Sequence, residues 1–250
     1  MSAETGTDQV SFLTRVQAAL ARTGEATPRQ VAKVAGDDWL ARAEHIRAEA
    51  VRRWAELLPR FTEELEAVGG VLHRAGPAAV PALVSRIAKE RELSRVVMWS
   101  EPALGLPGML SDLQATGLEV VDGSPPLDAA ATPESVEDLR RRLERGEVGL
   151  TGVDFAVAEC GSLVLLSGPG KGRLVSCLPI VHVAILRPGQ LVESLDEVGV
   201  LLEASHGQAP PRDSPSAITF ITGPSRTADI ELSLTRGVHG PKEVHVIALY

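Results

Sequence analysis

Cysteine is scarce in this 250-residue chain: Cys160 and Cys177 are its two thiols. That is too few for a disulfide framework or for an iron–sulfur cluster ligated by cysteine alone, and no Cys-x-x-Cys spacing occurs. Any redox metal associated with the protein therefore belongs on a partner. Positive charge is also short, with 25 Lys and Arg against 33 Asp and Glu, a net charge of −8 and a pI near 5.3. A general nucleic-acid binder needs concentrated Lys and Arg to neutralise phosphates, so that class is excluded while a local basic pocket is not. No run approaches the roughly 18 to 20 apolar residues that a membrane helix requires. Met1 to Thr7 is polar and acidic, without a signal-peptide pattern; a cytoplasmic location is expected. No His-x-x-x-His or His-x-His pair supplies metal-ligand spacing, and Asp154, Glu159 and Asp229 are too scattered to define a metal site.

What is present is enough apolar content, 44%, for a substantial core. Val10, Leu13, Val16 and Leu20 fall at helical spacing before Gly24, predicting a helix over Val10 to Arg22. A longer helical pattern runs from Trp39 to Val68, with Pro59 expected to kink or split it. A short helix is expected over Pro81 to Glu92. From Arg95 the character changes. Val96 to Trp99 reads as a buried strand, Gly108 to Gln114 as a helix and Leu118 to Val121 as the next strand. Thr132 is a candidate N-cap with Pro133 at the first helical position, Val136, Leu139 and Leu143 on one face and Gly146 as terminator. Strands alternating with helices indicate an α/β fold with a largely parallel sheet. After Gly149 the pattern is β-rich, with strands expected at Leu163 to Ser167, Arg173 to Cys177, Val181 to Leu186, Ala217 to Ile221 and Glu243 to Leu249. Gly168-Pro169-Gly170-Lys171-Gly172 reads as a hairpin between two of them, and Pro210 to Pro215 as a connector. Residues 1–94 form a helical extension on this reading, and 95–250 an α/β domain.

The densest chemistry lies between Ile218 and Tyr250. Gly223-Pro224-Ser225-Arg226-Thr227 follows an apolar run, with Asp229 and Glu231 behind it, and Gly237-Val238-His239-Gly240-Pro241 comes ten residues later. Two readings stay open. In one, backbone amides, the Ser225 and Thr227 hydroxyls and the Arg226 guanidinium converge as an anion pocket at a strand end. In the other, the hydroxyls cap local amides and Arg226 pairs with Asp229 or Glu231. Lys171 and Arg173 can close over an anion from their glycine-rich loop, or Lys171 can simply sit on an exposed tip. His182, on an apolar strand, is either an acid or base near neutral pH or a hydrogen-bonded core histidine; His239, between glycines, is either a ligand contact or part of a turn.

The order Gly-Pro-Ser-Arg-Thr-Ala-Asp-Ile-Glu, then Gly-Val-His-Gly-Pro, resembles the C-terminal signature of the LUD domain shared by lactate utilisation proteins, and the chain resembles the lactate utilisation protein C family in particular. Leu150-Thr151-Gly152-Val153-Asp154, Ala158-Glu159-Cys160-Gly161-Ser162 and Leu178-Pro179 with His182 fall in that family's order, from roughly Val96 onwards. Where the family usually has Glu-Thr-Gly-Thr, this chain has Glu159-Cys160-Gly161-Ser162, so Ser162 supplies the hydroxyl and Cys160 replaces one. The resemblance implies a mixed, largely parallel sheet flanked by helices, of the sugar-phosphate isomerase and coenzyme A transferase-like type, with an N-terminal helical layer. It further implies an accessory subunit of an iron–sulfur system oxidising L-lactate to pyruvate, with the clusters on partner oxidoreductase subunits. A small anionic or nucleotide-like ligand would be held by Arg173, Gly223, Ser225, Arg226, Thr227, Asp229 and His239, with Glu159 and His182 as the catalytic candidates. By analogy with coenzyme A transferases, Glu159 could instead form an acyl anhydride and then a thioester, giving a transferase or cyclo-ligase. A purely structural assembly partner, with no pocket, is the third alternative.

Overall fold

A computed structural model describes residues 36–123, 133–208, 215–228 and 234–250. The helix expected at Val10 to Arg22, the cap at Thr132, the connector from Pro210 and the carboxylates Asp229 and Glu231 lie outside these residues. All the described residues except Gly36 belong to a single unit, Asp37–Tyr250.

In chain order the helices are α1 (Gly36–Arg52), α2 (Trp54–Ala67), α3 (Val80–Lys89), α4 (Glu101–Leu104), α5 (Met109–Ala115), α6 (Pro133–Glu144), α7 (Leu174–Cys177) and α8 (Leu195–Gln208). The strands are β1 (Val71–Ala75), β2 (Arg95–Met98), β3 (Glu119–Asp122), β4 (Val148–Gly152), β5 (Phe155–Val157), β6 (Ser162–Ser167), β7 (Val181–Leu186), β8 (Leu191–Val192), β9 (Ala217–Ile221), β10 (Arg226–Ala228), β11 (Leu234–Arg236) and β12 (Glu243–Leu249).

A six-stranded sheet in the order β1-β12-β7-β4-β2-β3 is parallel throughout. Its central strands are covered on both faces, so they read as continuous apolar runs: all six residues of β7 are buried, as are six of the seven in β12. A second sheet, β8-β5-β6-β9, is mixed, and its inner face packs with α1 and α8 around Ile46, Phe155, Val157, Val164 and Leu201. β10 and β11 form a separate antiparallel ribbon.

Three expectations are corrected. The long helical pattern breaks at Arg53, six residues before Pro59, which sits inside α2. A proline removes the donor for the carbonyl one turn earlier and crowds it, so its disruption falls on the amino-terminal side. The Arg53 guanidinium also bonds Glu56 at 2.7 Å and Glu193 at 2.6 Å, tying the break to the loop before α8. Second, the run after Arg173 is not a strand but the short helix α7, because four residues have no decisive period and the chain must here cross the sheet. Third, the Gly168 to Gly172 loop is therefore no strand-to-strand hairpin; a single Gly168↔Lys171 bridge closes it, and β6 pairs instead with β5 and β9. Val71–Ala75, upstream of the expected boundary at 94/95, is a strand of the main sheet.

Candidate functional site

The strand order reverses between β2 and β4: from β2 the chain moves outward to β3, then returns to β4 on the other side and continues through β7 to β12. Connections then leave the carboxyl ends of β2 and β4 in opposite directions, the position where open α/β sheets usually form their ligand crevice. Trp99, just past β2, is 2% exposed and donates from Nε1 to the Gly172 carbonyl at 3.1 Å. The Ser100 amide donates to the Gly170 carbonyl at 3.0 Å, so the glycine-rich loop is tied down over the end of β2. Gly170 is required there: its φ is +73°, and a Cβ would lie 2.3 Å from Ser100 Oγ. Lys171 Nζ then reaches Asp154, just past β4, at 2.5 Å, and lies 5.5 Å from the centre of the Trp99 ring. The second Asp154 oxygen accepts from the Leu166 amide at 2.7 Å.

On the other flank, Arg187 follows β7. Its guanidinium donates to the Leu104 carbonyl at the end of α4, and among the described residues it has no carboxylate partner. Burial pushes its pKa down, the signature of a charge removed from water without compensation. Gln190 braces this corner, accepting from the Arg187 amide at 2.8 Å and donating to the Val153 carbonyl at 2.6 Å. Arg187 touches α4 at Leu104, and on the Ala103 side a Cβ at Gly170 would come within 3.4 Å of the helix.

The residues singled out from the sequence are dispersed around the fold. Glu159 lies in the β5–β6 turn, where its Oε1 accepts from the Leu195 amide at 2.7 Å; it caps α8. His182, on β7, is fully buried beneath the α7 connection, with Nε2 2.8 Å from Thr151 Oγ1 and Nδ1 without a partner. Burial, reinforced by the nearby His245 ring, pushes its pKa down to about 4. Arg173 is exposed at the start of α7. Arg226 donates to the Val68 carbonyl just past α2, and a Cβ at Gly223 would lie 2.6 Å from that same oxygen. Ser225 is drawn to the second glycine motif: its amide donates to Pro241 at 2.8 Å and its carbonyl accepts from Gly237 at 3.1 Å. His239 is exposed between Gly237 and Gly240. The two C-terminal motifs thus come together as a clasp at the amino ends of β1 and β12, opposite to the crevice. The backbone of Thr227 lies in β10, and Asp229 is outside the described residues. Ser162 Oγ and Thr222 Oγ1, 2.7 Å apart, join the Glu159 turn to the start of this clasp, with Cys160 Sγ 3.1 Å from Ser162 Oγ.

Sequence reasoning missed Arg187, which sits in no motif, and the pairing of Asp154 with Lys171, which lie in two separate motifs; the signal for Arg187 and Asp154 was their position just after apolar strands. It also missed a half-buried relay at the opposite strand end. Glu243 Oε2 accepts from Arg91 Nε at 2.6 Å and from His245 Nε2 at 3.1 Å, and His245 Nδ1 is 2.9 Å from His73 Nε2. With His245 Nε2–H directed to the carboxylate, Nδ1 is left to accept from His73. No group of three or more His, Cys, Asp or Glu is placed to hold a metal among the described residues.

The LUD domain family matches residues 58–249 of the chain. Lactate utilization protein C of Halalkalibacterium halodurans is 37% identical over 160 residues, which cover 63% of this chain and 64% of that protein. The same-named protein of a Geobacillus species is 42% identical over 106 residues, 42% of this chain and 43% of the other. Lactate utilization protein B of Shouchella clausii is 24% identical across 84% of this chain and 52% of its own length. The matched segments thus span less than two thirds of these relatives. A crystal structure of a DUF162 family protein from Deinococcus radiodurans superposes with a TM-score of 0.52 and 22% identity, covering 78% of this chain and 98% of that one, a likeness of fold.

Proposed function

The chain belongs to the LUD domain family, and from that premise we propose that it serves lactate utilisation as a subunit that holds a small hydroxy-acid-type anion in the crevice at the carboxyl ends of β2, β4 and β7. The observation that carries this reading is Arg187: a half-buried guanidinium, unmatched by any carboxylate among the described residues, at the end of a central strand. A ligand carboxylate would supply the missing charge in a bidentate pair. The Lys171–Asp154 pair complements it, because an ammonium and a carboxylate side by side offer both a donor and an acceptor to a neighbouring hydroxyl. The bonds from Trp99 and Ser100 to the glycine-rich loop hold Lys171 in place beside this position. Iron–sulfur oxidoreductase partners would carry the electrons from L-lactate, since the two half-buried cysteines of this chain stand alone. Glu159 as an acyl nucleophile is less well supported, because its carboxylate is engaged at the start of α8.

Calorimetric titration with L-lactate, pyruvate, phosphate and nucleotides tests the reading. One of these anions should bind, and Arg187→Gln and Lys171→Gln should each weaken it by roughly 1 to 3 kcal/mol, the range for lost charge-assisted hydrogen bonds. An anion bound with equal affinity by both variants, or none bound at all, would refute the crevice as the site.

A further inference from the structure

β1 is the edge strand of the six-stranded sheet, bonded to β12 on one side and to nothing on the other among the described residues. Its five residues, Val71-Leu72-His73-Arg74-Ala75, carry no lysine, proline or bulge of the kind that usually protects an edge, and Val71 is 43% exposed. Beside it, between β1 and α2, runs a groove of about 580 Å³ lined by Trp54, Leu58, Glu63, Glu66, Leu72 and Arg74. Glu63, Glu66 and Arg74 are all exposed, and none has an ion-pair partner among the described residues although they share this groove.

An antiparallel match of the edge with itself, centred on His73, would set Val71 opposite Ala75 and Leu72 opposite Arg74 of a second copy. Residues opposite each other share a face, so the second copy's Arg74 would lie over Leu72, on the side where Glu63 and Glu66 line the groove. By the twofold relation the reverse contact forms as well, giving two acid-to-arginine encounters and an apolar Val71–Ala75 pair at either end. The other edge behaves differently. Self-pairing of β3, Glu119-Val120-Val121-Asp122, would oppose Glu119 to Asp122 and set like charges face to face.

We propose that β1 pairs antiparallel with β1 of a second copy of this chain, joining two six-stranded sheets into one and seating each Arg74 in the acid-lined groove of the other copy. The test is sedimentation of the full chain over a range of concentrations, with hydrogen exchange of the β1 amides followed in parallel. A concentration-dependent dimer is expected, with β1 protection rising as it forms. Arg74→Glu should raise the dimer Kd at least about tenfold, since it faces acid with acid, while the thermal melt of the dilute monomer stays unchanged. Combining Arg74→Glu with Glu63→Arg and Glu66→Arg should restore association. A chain that sediments as a monomer throughout overturns the proposal, and so does a dimer indifferent to Arg74→Glu. Protection of β1 independent of concentration also overturns it, because the edge would then be filled by another segment of the same chain.

Discussion

His182 offers the sharpest separation between a residue that builds the sheet and one that performs chemistry. Its ring is fully buried and its pKa is driven down to about 4, first by burial and then by the nearby His245. The unfolded chain releases this proton near pH 6.5. Between these two values the unfolded state binds a proton that the folded state refuses, so stability rises with pH across the interval. The contribution is complete above about pH 6.5 and is lost as the pH falls towards about 4. With each pKa step worth about 1.36 kcal/mol, the full interval amounts to roughly 3 kcal/mol. Replacing His182 by Gln removes the titrating group while leaving a polar end for Thr151. Denaturant unfolding at closely spaced pH values from about 8 to 4 should therefore show the parent losing roughly 3 kcal/mol more than His182→Gln, with the curves parallel above about pH 7. Contributions from His73 and Glu243 are common to both proteins and cancel in the difference, while the His182–His245 coupling is part of what the comparison reads. Parallel curves over the whole range would refute the argument and would mean that the ring reaches water, as a general base near neutrality must.

Three further outcomes follow from particular contacts. Gly149→Ala would place a Cβ 1.9 Å from the Val175 carbonyl oxygen, which belongs to backbone and cannot step aside, whereas Gly199→Ala in α8 meets nothing within 4 Å; thermal melts should show the first losing about 3 kcal/mol or more and the second gaining roughly 0.5 to 1 kcal/mol. Glu159→Ala should cost roughly 0.5 to 2 kcal/mol through the uncapped Leu195 amide while Glu159→Gln, which keeps the acceptor, costs little; hydroxylamine trapping of a Glu159 acyl adduct after incubation with acyl coenzyme A would establish the transferase alternative instead. Arg226→Lys should lower the melting temperature slightly and leave anion affinity untouched, because the guanidinium serves the Val68 carbonyl; a calorimetric loss of affinity in this variant would return the anion site to the C-terminal clasp.

The main sheet was legible where its strands are short apolar runs buried on both faces. Val96 to Trp99, Val181 to Leu186 and Glu243 to Leu249 stand out because parallel strands under helices have no polar face to interrupt the pattern. β1 was not legible. His73 and Arg74 break its apolar character because it lies at the edge, and the residues that bury it are supplied by β12, some 170 positions away. β4 was hidden for another reason: Gly149 and Gly152 interrupt its apolar run, while the structure uses Gly149 to let the backbone of α7 lie directly on the sheet. The same contact explains why α7 read as a strand, since Val175 is buried against the sheet and four residues are too few to show a helical period.

The motif-rich C-terminal third illustrates how a dense signature can serve the backbone. Gly223 has φ +79° and Gly237 +81°, and a side chain on either would meet Val68 or Lys242 within 3 Å. Those glycines, with the prolines that follow, let two distant turns interlock so that β12 can enter the centre of the sheet between β1 and β7. Arg226 then satisfies a helix-terminal carbonyl that would otherwise lack a donor. Charges consumed in closing the fold are poorly placed to recruit a ligand. Arg187 also donates to a helix-end carbonyl, at Leu104, but it differs in burial: it is half-buried at the end of β7, one strand from the point where the strand order reverses, whereas Arg226 is exposed. Uncompensated charge beside a topological opening, more than richness in polar residues, is what distinguishes a binding site from a well-made turn.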